Sequence, residues 1–279
     1  MGELLFGTAG VPHSAGTDTT IDGIKRIAEL GLGCMEIEFV RRVTMGEAGA
    51  RLVAEVAAEE GVKLSAHAPY YINLNAHEPE KITASQERLY RTAKIAAICG
   101  AQSTVFHTAF YLGDEPEKAY GMIKKSLEEL LSRLEREKIR IKLRPEVMGK
   151  PSQFGTVEEL IRLCNELEGL APCMDFAHWH ARSGADNSYQ EFVSTLKQFE
   201  KGLGRDALED MHIHLSGIHY GPKGERNHLN LEESDLQYSE LVKAMIDCGV
   251  GGLVICESPN LEEDAMLLQK TYNDLLKAA

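Results

Sequence analysis

Six side chains able to hold a metal stand at the ends of six successive strand-like runs: His67, His107, Glu146, Asp175, His214 and Glu257. The runs read LSAHAP, STVFHT, IKLRPEV, PCMDFAH, MHIHLSG and LVICES, with helical segments between them. A lone strand histidine is usually structural; these gain weight from their shared position. Imidazole and carboxylate bind divalent ions such as Zn2+ or Mn2+, and closely spaced ions can activate water and grip phosphoryl oxygens. Three acids gathered in a partly dry pocket without a cation would repel one another and lose their solvation. A metal site therefore fits this set better than surface acids do.

Further residues could join it. Asp175 and His178 form D-x-x-H, a spacing that serves one metal or two, or an Asp that merely orients a loop which His178 begins. His212 lies one pleat below His214 on the same strand face and suits a supporting role. His180 is less well placed. The stretch Ser216 to Leu231, SGIHYGPKGERNHLNL, reads as a long loop carrying His219, Glu225 and His228. His228 either closes over the cluster or stays an exposed loop histidine.

The elements that must bring these residues together alternate along the chain. Strands are expected at Leu4–Thr8, Cys34–Phe39, Leu64–Ala68, Ser103–Thr108, Arg140–Glu146, Pro172–Phe176, Asp210–Leu215 and Gly252–Glu257. Helices are expected at Thr20–Leu30, Met45–Glu60, Lys81–Cys99, Pro116–Lys138, Thr156–Glu168, Ser188–Lys201, Ser234–Asp247 and Leu261–Lys277. Glycines just past the first, second, third and seventh helices suit left-handed caps. Pro116 suits a first helical turn, and Thr156 with Glu159 a capping box. Eight strand–helix units predict a single-domain α/β fold over 1–279, a (β/α)8 TIM barrel whose strand C-termini converge on one mouth. A doubly wound sheet is the alternative, but G-x-G-x-x-G is missing.

Composition narrows the setting. With 279 residues, 43% of them hydrophobic, one large core is feasible. The net charge of −13 disfavours non-specific binding to nucleic acid, although bound cations can reverse the local field. Cys34, Cys99, Cys164, Cys173, Cys248 and Cys256 include no C-x-x-C pair, so free thiols are expected rather than a thiolate zinc site. MGELLFGTAG lacks the marks of a signal peptide or a myristoylation site, and no apolar run has transmembrane length. The expectation is a cytoplasmic protein with no membrane or protein partner implied.

The ordered residues resemble the endonuclease IV type of apurinic/apyrimidinic endonucleases, within the xylose isomerase-like barrel superfamily. The resemblance runs from His67 to Glu257. It rests on SAHAPYYINL, FHT, the Glu146 strand end, MDFAH, HIHLSG and CESP. It implies two or three zinc ions at the barrel mouth, with Mn2+ as a substitute. His67 and His107 would hold one ion, and Asp175, His214 and Glu257 a second. Glu146 would bridge the two beside the nucleophile, as the catalytic carboxylate. His178 and His228 would hold a third. The implied partner is double-stranded DNA with an abasic site, cut on the 5′ side. Tyr70 and Asn73 match positions near that DNA, and Arg41 or Arg42 the place of a residue that enters the duplex.

One departure is plain. The family's third-ion motif is Asp-x-His, but Arg226 stands two residues before His228. A basic side chain cannot replace an acidic ligand, and Glu225 has the wrong spacing for a simple swap. The third site is therefore expected to be absent, altered or rebuilt by water. Thr108-Ala109 also follows His107 where the family favours Pro-Gly.

Three functions follow from these residues. The leading one is a metal-dependent phosphodiesterase acting on abasic DNA, with Arg41, Arg42, Arg182, Lys223 and Arg226 available for phosphates. The second is a sugar isomerase or epimerase using one ion on Glu146, Asp175, His214 and Glu257. The third is a non-catalytic barrel that binds nucleic acid or a phosphorylated ligand.

Overall fold

The computed structural model describes residues 2–278. Eight strands form one sheet: β1 (Leu4–Ala9), β2 (Cys34–Glu38), β3 (Lys63–His67), β4 (Ser103–Phe106), β5 (Lys142–Pro145), β6 (Cys173–Asp175), β7 (Met211–Leu215) and β8 (Gly252–Cys256). They pair in parallel, in the order β5-β4-β3-β2-β1-β8-β7-β6. Bridges from Leu143 to Leu170 and from Glu146 to Cys173 join the two edges and nearly close the barrel. The expected (β/α)8 architecture is present, with boundaries mostly shifted by one to three residues.

Eight outer helices link the strands: Thr20–Glu29, Glu47–Glu60, Pro79–Ile98, Pro116–Arg136, Val157–Glu166, Tyr189–Leu203, Tyr238–Asp247 and Glu262–Ala278. Local chemistry sets their ends. Thr156 and Glu159 form the capping box, Pro116 lies in the first turn of its helix, and Gly31, Gly61, Gly100 and Gly249 have positive φ just after theirs. The penultimate helix starts at Tyr238, later than expected. Ser234 instead uses its hydroxyl to accept from the Ile218 and Leu236 N–H groups.

Period two decides what each strand buries. Phe6, Met35, Leu64, Phe106, Leu143, Met174, Ile213 and Val254 lie in the main core, between sheet and helices. Each such side chain contributes about 1.5–3 kcal/mol on burial. The alternating positions face the lumen. Cys34, Leu253 and Ile255 form a small separate apolar cluster with Leu5. One pleat further toward the strand C-termini the same positions become Glu36, Ser65, Cys173 and His212, all buried.

Two segments differ from expectation. Phe176–Ser183, read as a loop, is a helix ended by Gly184 at φ +67°. The long loop after β7 is a β-hairpin, Gly217–Gly221 with Gly224–Leu229. A smaller ladder joins Ala109–Phe110 to Gln153–Phe154. Among the described residues no helix is long and apolar enough to cross a membrane, and all six cysteines are free thiols.

Candidate metal centre

Glu146, at the end of β5, sits at the middle of the mouth and is 1% exposed. Its Oε2 lies 3.1 Å from His67 Nε2 and 3.2 Å from His107 Nε2. Its Oε1 lies 3.0 Å from His178 Nδ1 and 3.6 Å from His214 Nδ1. One carboxylate thus faces a histidine pair from each oxygen. Glu257 Oε1 approaches His214 Nδ1 at 3.4 Å, and His178 Nδ1 is 3.1 Å from Asp175 Oδ2. Ligand atoms of Glu146, Asp175, His214 and Glu257 all fall within 4.8 Å of one another, as do those of His67, Glu146 and His214.

The sheet register explains the convergence. Asp175 pairs with His214 across β6 and β7, and the chain from Glu146 bridges to Cys173. Asp175 also acts locally, because its Oδ1 accepts from the His178 N–H at 2.7 Å and so caps the unexpected helix. That cap turns the His178 ring toward the mouth and leaves Oδ2 for the centre.

Three histidines have Nδ1 fixed by a backbone carbonyl, and His214 has a carboxylate oxygen near its Nε2. His67 Nδ1 donates to the Ala68 carbonyl at 2.8 Å, His178 Nδ1 to Val147 at 3.1 Å, and His228 Nδ1 to Glu257 at 3.1 Å. His214 Nε2 lies 2.8 Å from Glu36 Oε1. A carbonyl can only accept, so one proton sits on the anchored nitrogen, and the other nitrogen is the one that a cation can take once its proton is displaced. This is the arrangement that orients metal-bound histidines.

The donor set fits a cation. Glu146 Oε1, Asp175 Oδ2 and His214 Nδ1 are buried and lack hydrogen-bond partners among the described residues. Converging acceptors without donors are costly unless positive charge lies between them. As protein groups alone they compensate only in part. Burial pushes Glu146 up, yet the imidazoles, His107 first, hold it well below the usual carboxylate range. Burial works against a charged His67, but the bond to Glu146 and the charge of Glu38 lift it to about 10. At Asp175 burial wins and raises the carboxyl to about 7.

Below the rim lies a layer that sequence reasoning reached in part, through His212. Glu36, fully buried on β2, accepts from Ser65 Oγ at 2.7 Å and faces His212 Nε2 at 3.1 Å as well as His214. Glu38, one pleat higher, pairs in register with His67, and burial raises its carboxyl to about 8. The signal was present in MEIEF: a barrel strand is covered on both faces, so acids alternating with Met35 and Ile37 must point into the lumen. Cys173 also stands within 4.8 Å of His212 and His214 ligand atoms. Burial pushes its thiol up to about 12.

Other expected residues fall in different places. Tyr70 is 56% exposed at the rim, its ring 6.0 Å from that of His107. Arg41, Arg42 and Arg226 are exposed. Asn73 serves its own loop, its Oδ1 accepting from the Asn75 and Phe110 N–H groups. Arg182 is not free for phosphates, because its Nη1 donates to the carbonyls of Met148, Lys150 and Gln153. His180 is held by Ala185 and Asp235, away from the cluster. Glu225 does reach the centre despite its spacing: its Oε2 is 3.5 Å from His178 Nε2.

Comparison with known proteins agrees with this fold. The family described as xylose isomerase-like TIM barrel matches residues 24–274. The chain belongs to that family. As a xylose isomerase-like barrel, it is 47% identical over 273 residues to an uncharacterized protein of Methanocaldococcus jannaschii, covering 98% of each chain. It is 30% identical to a probable endonuclease 4 of a Geobacillus species over 185 residues, 64% of this chain and 58% of that one. Among solved structures, endonuclease IV from Thermus thermophilus superposes with TM-score 0.77 at 19% identity, covering 98% of this chain and 100% of the other. A D-tagatose 3-epimerase-like protein superposes with TM-score 0.73 at 16% identity, covering 97% of each. At such identities these two structures speak for the barrel alone.

Proposed function

We propose that the barrel is a metal-dependent phosphodiesterase of the endonuclease IV kind, cutting double-stranded DNA on the 5′ side of abasic sites. The observation that carries the reading is the shared carboxylate: Glu146 meets His67 and His107 through one oxygen, His178 and His214 through the other. Divalent ions held there, zinc or manganese by donor type, would acidify water, bind phosphate oxygens and stabilise the leaving oxygen. Glu146 fixes the spacing of the two halves of the site. His67 and His107 complete one half; Asp175, His214 and Glu257 complete the other. In the reaction a water oxygen bonds to phosphorus, the bond from phosphorus to the 3′ oxygen breaks, and that oxygen gains a proton.

Substrate placement draws on the rim. Tyr70 and Tyr71, 56% and 62% exposed, follow β3, and exposed Arg41 and Arg42 follow β2. Aromatic faces and guanidinium groups together suit bases and phosphates. The kinship with a probable endonuclease 4 supports the same reading.

A single-ion sugar epimerase is the competing reading, favoured by the compact set Glu146, Asp175, His214 and Glu257. It gives His67 and His107 no role at Glu146. The test is incision of a duplex carrying one abasic site, with zinc or manganese, with chelator, and with Glu146→Gln. Metal-dependent 5′ incision lost in the variant is expected. No incision by the metal-loaded protein, with metal content unchanged in His67→Ala and His107→Ala, would move the assignment to the epimerase class.

A further inference from the structure

β2 ends in an acid that the metal centre does not use. Glu38 is the last residue of that strand, two positions past Glu36, so it shares the lumen face and stands one pleat nearer the mouth. Across the sheet it pairs in register with His67. Yet none of the sets of side chains whose ligand atoms lie within 4.8 Å of one another includes Glu38. Its Oε1 is buried and has no hydrogen-bond partner among the described residues. The residue as a whole is half-buried, so the carboxyl stands where the packed lumen opens into the mouth.

The neighbours hold the stem of Glu38 and leave its head open. On one side the Gly10 N–H donates to the Glu36 carbonyl at 2.9 Å, and on the other the Phe39 N–H donates to the His67 carbonyl at 3.1 Å. The backbone around Glu38 is thus fixed to β1 and to β3. Gly10 has φ +95°, and a Cβ there would lie 3.6 Å from Glu38 Cγ, so the stem runs along the end of β1. The head is felt at the rim. Burial, then the charges of Glu38 and Glu257, push the Tyr70 phenol up. The Glu38 carboxyl therefore borders the same space as Tyr70, beside the metal set and outside it.

A carboxyl left unpaired in such a place loses solvation for nothing. A hydroxyl is the partner that suits it. It donates to an ionised carboxyl and accepts from a protonated one, so the pairing holds in either state. Cutting on the 5′ side places at the centre the phosphate joined to the 5′ oxygen of the abasic sugar, which makes that sugar the next group along. In its ring form an abasic deoxyribose carries a hydroxyl on C1, where the base was attached. We propose that Glu38 is a specificity-determining residue that hydrogen-bonds the C1 hydroxyl of the abasic sugar. An intact nucleotide has a base at that position and would leave the carboxyl unpaired, the kind of mismatch by which a polar site rejects an analogue. This inference rests on the nuclease reading and names the group by which the site would know its sugar.

The test compares two duplexes that differ by that one hydroxyl: a natural abasic site, and a tetrahydrofuran site that has hydrogen at C1. The kcat/KM for incision of each is measured with zinc-loaded parent, Glu38→Leu and Glu38→Gln. Circular dichroism and zinc per chain confirm fold and centre in each variant. The parent is expected to prefer the natural site by at least about tenfold, the scale of a hydrogen bond to a charged group. Glu38→Leu should lose that preference, and Glu38→Gln, whose amide also bonds a hydroxyl, should keep it within about threefold. A ratio near one in the parent, or the same ratio in parent and Glu38→Leu, overturns the assignment while incision itself still supports the nuclease reading. If the zinc-loaded parent cuts neither duplex, the nuclease reading fails, and the ratio is read instead from NMR titration with free 2-deoxyribose and 1,2-dideoxyribose. A preference for the hydroxylated sugar that Glu38→Leu abolishes then upholds the role of Glu38 toward a sugar hydroxyl, and equal binding of the two sugars overturns it.

Discussion

The rim of the barrel and the hairpin above it supply side chains to one mouth by different means. On the rim, each ligand side chain ends or follows a strand whose neighbours fix its height and direction. Parallel pairing sets Asp175 beside His214 and Glu38 beside His67, and a one-residue slip would turn every such group out of the lumen. On the hairpin, Glu225 and His228 depend on one bulge and on two glycines. His228 pairs with Ile218 and Glu225 with Tyr220, which leaves Arg226 as the bulged residue and turns both side chains to one face. Gly224 has φ +88°, and a Cβ there would meet the Gly149 carbonyl at 2.2 Å. The rim is thus built on the fold, and the hairpin on a local exception. That difference suggests a core chemistry held constant by the barrel and an outer layer open to change by loop sequence.

Breaking the rim should have the largest effect. Glu146→Gln keeps the size of the side chain but weakens a ligand shared by both halves. Incision is expected to fall on the order of 10³-fold or more, the scale of losing a group that acts on the transition state. Steady-state cleavage of abasic duplex measures it. A loss below about tenfold would mean that the two halves of the site do not work through this carboxylate.

The rim was also the part most legible in the sequence. Each of its ligands closes a short apolar run, and eight such runs alternate with helices, so the barrel and its convergence followed from pattern and topology. The layer beneath was less legible. Glu36 and Glu38 sit in an alternating segment that resembles a half-exposed strand; knowing that both faces of β2 are covered is what turns them inward. The hairpin was least legible. Its Gly-Pro-Lys-Gly turn and sparse apolar residues read as loop, and a bulge has no sequence signature that could set Glu225 beside His228. Asn73 Oδ1 and Arg182 Nη1 illustrate a related limit of sequence: residue type announces hydrogen-bonding capacity, not whether nearby backbone has already used it.

Glu36 offers the next sharpest test, because it supports the rim without touching the mouth. Its Oε1 lies 2.8 Å from His214 Nε2, and His214 Nδ1 is the nitrogen that faces Glu146 and Glu257. Glu36→Gln removes the charge but keeps the volume. Metal affinity and incision are expected to fall roughly 10–100-fold, the usual scale for a partner of a ligand histidine. Nitrogen chemical shifts of His214 would report the tautomer. An unchanged tautomer with normal affinity would assign Glu36 to structure alone.

Proton linkage probes the rim more gently. His67, raised to about 10, carries a proton across the neutral range, and a cation must displace it. Asp175, raised to about 7, adds a second competing proton as pH falls below that value. Deprotonation favours binding, so zinc affinity should rise with pH, by about tenfold per unit for each proton released. Calorimetry in buffers of different ionisation enthalpy counts those protons. Zero release would show that the histidine–carboxylate pairs do not compete with the metal.

The smallest expected effect comes from the hairpin, and it separates facing from reach. Deleting Arg226 removes the bulged residue and leaves Glu-Asn-His, an acid two positions before the histidine. In a regular ladder residues two apart share a face, so Glu225 should still point with His228. Incision of abasic duplex should change by no more than about tenfold, or ~1.4 kcal/mol. Arg226→Ala, which keeps the bulge, should change it less. If the deletion abolishes incision while Arg226→Ala keeps it, the bulge supplies reach as well as direction. The longer spacing would then be a requirement of a glutamate that meets His178 from this hairpin.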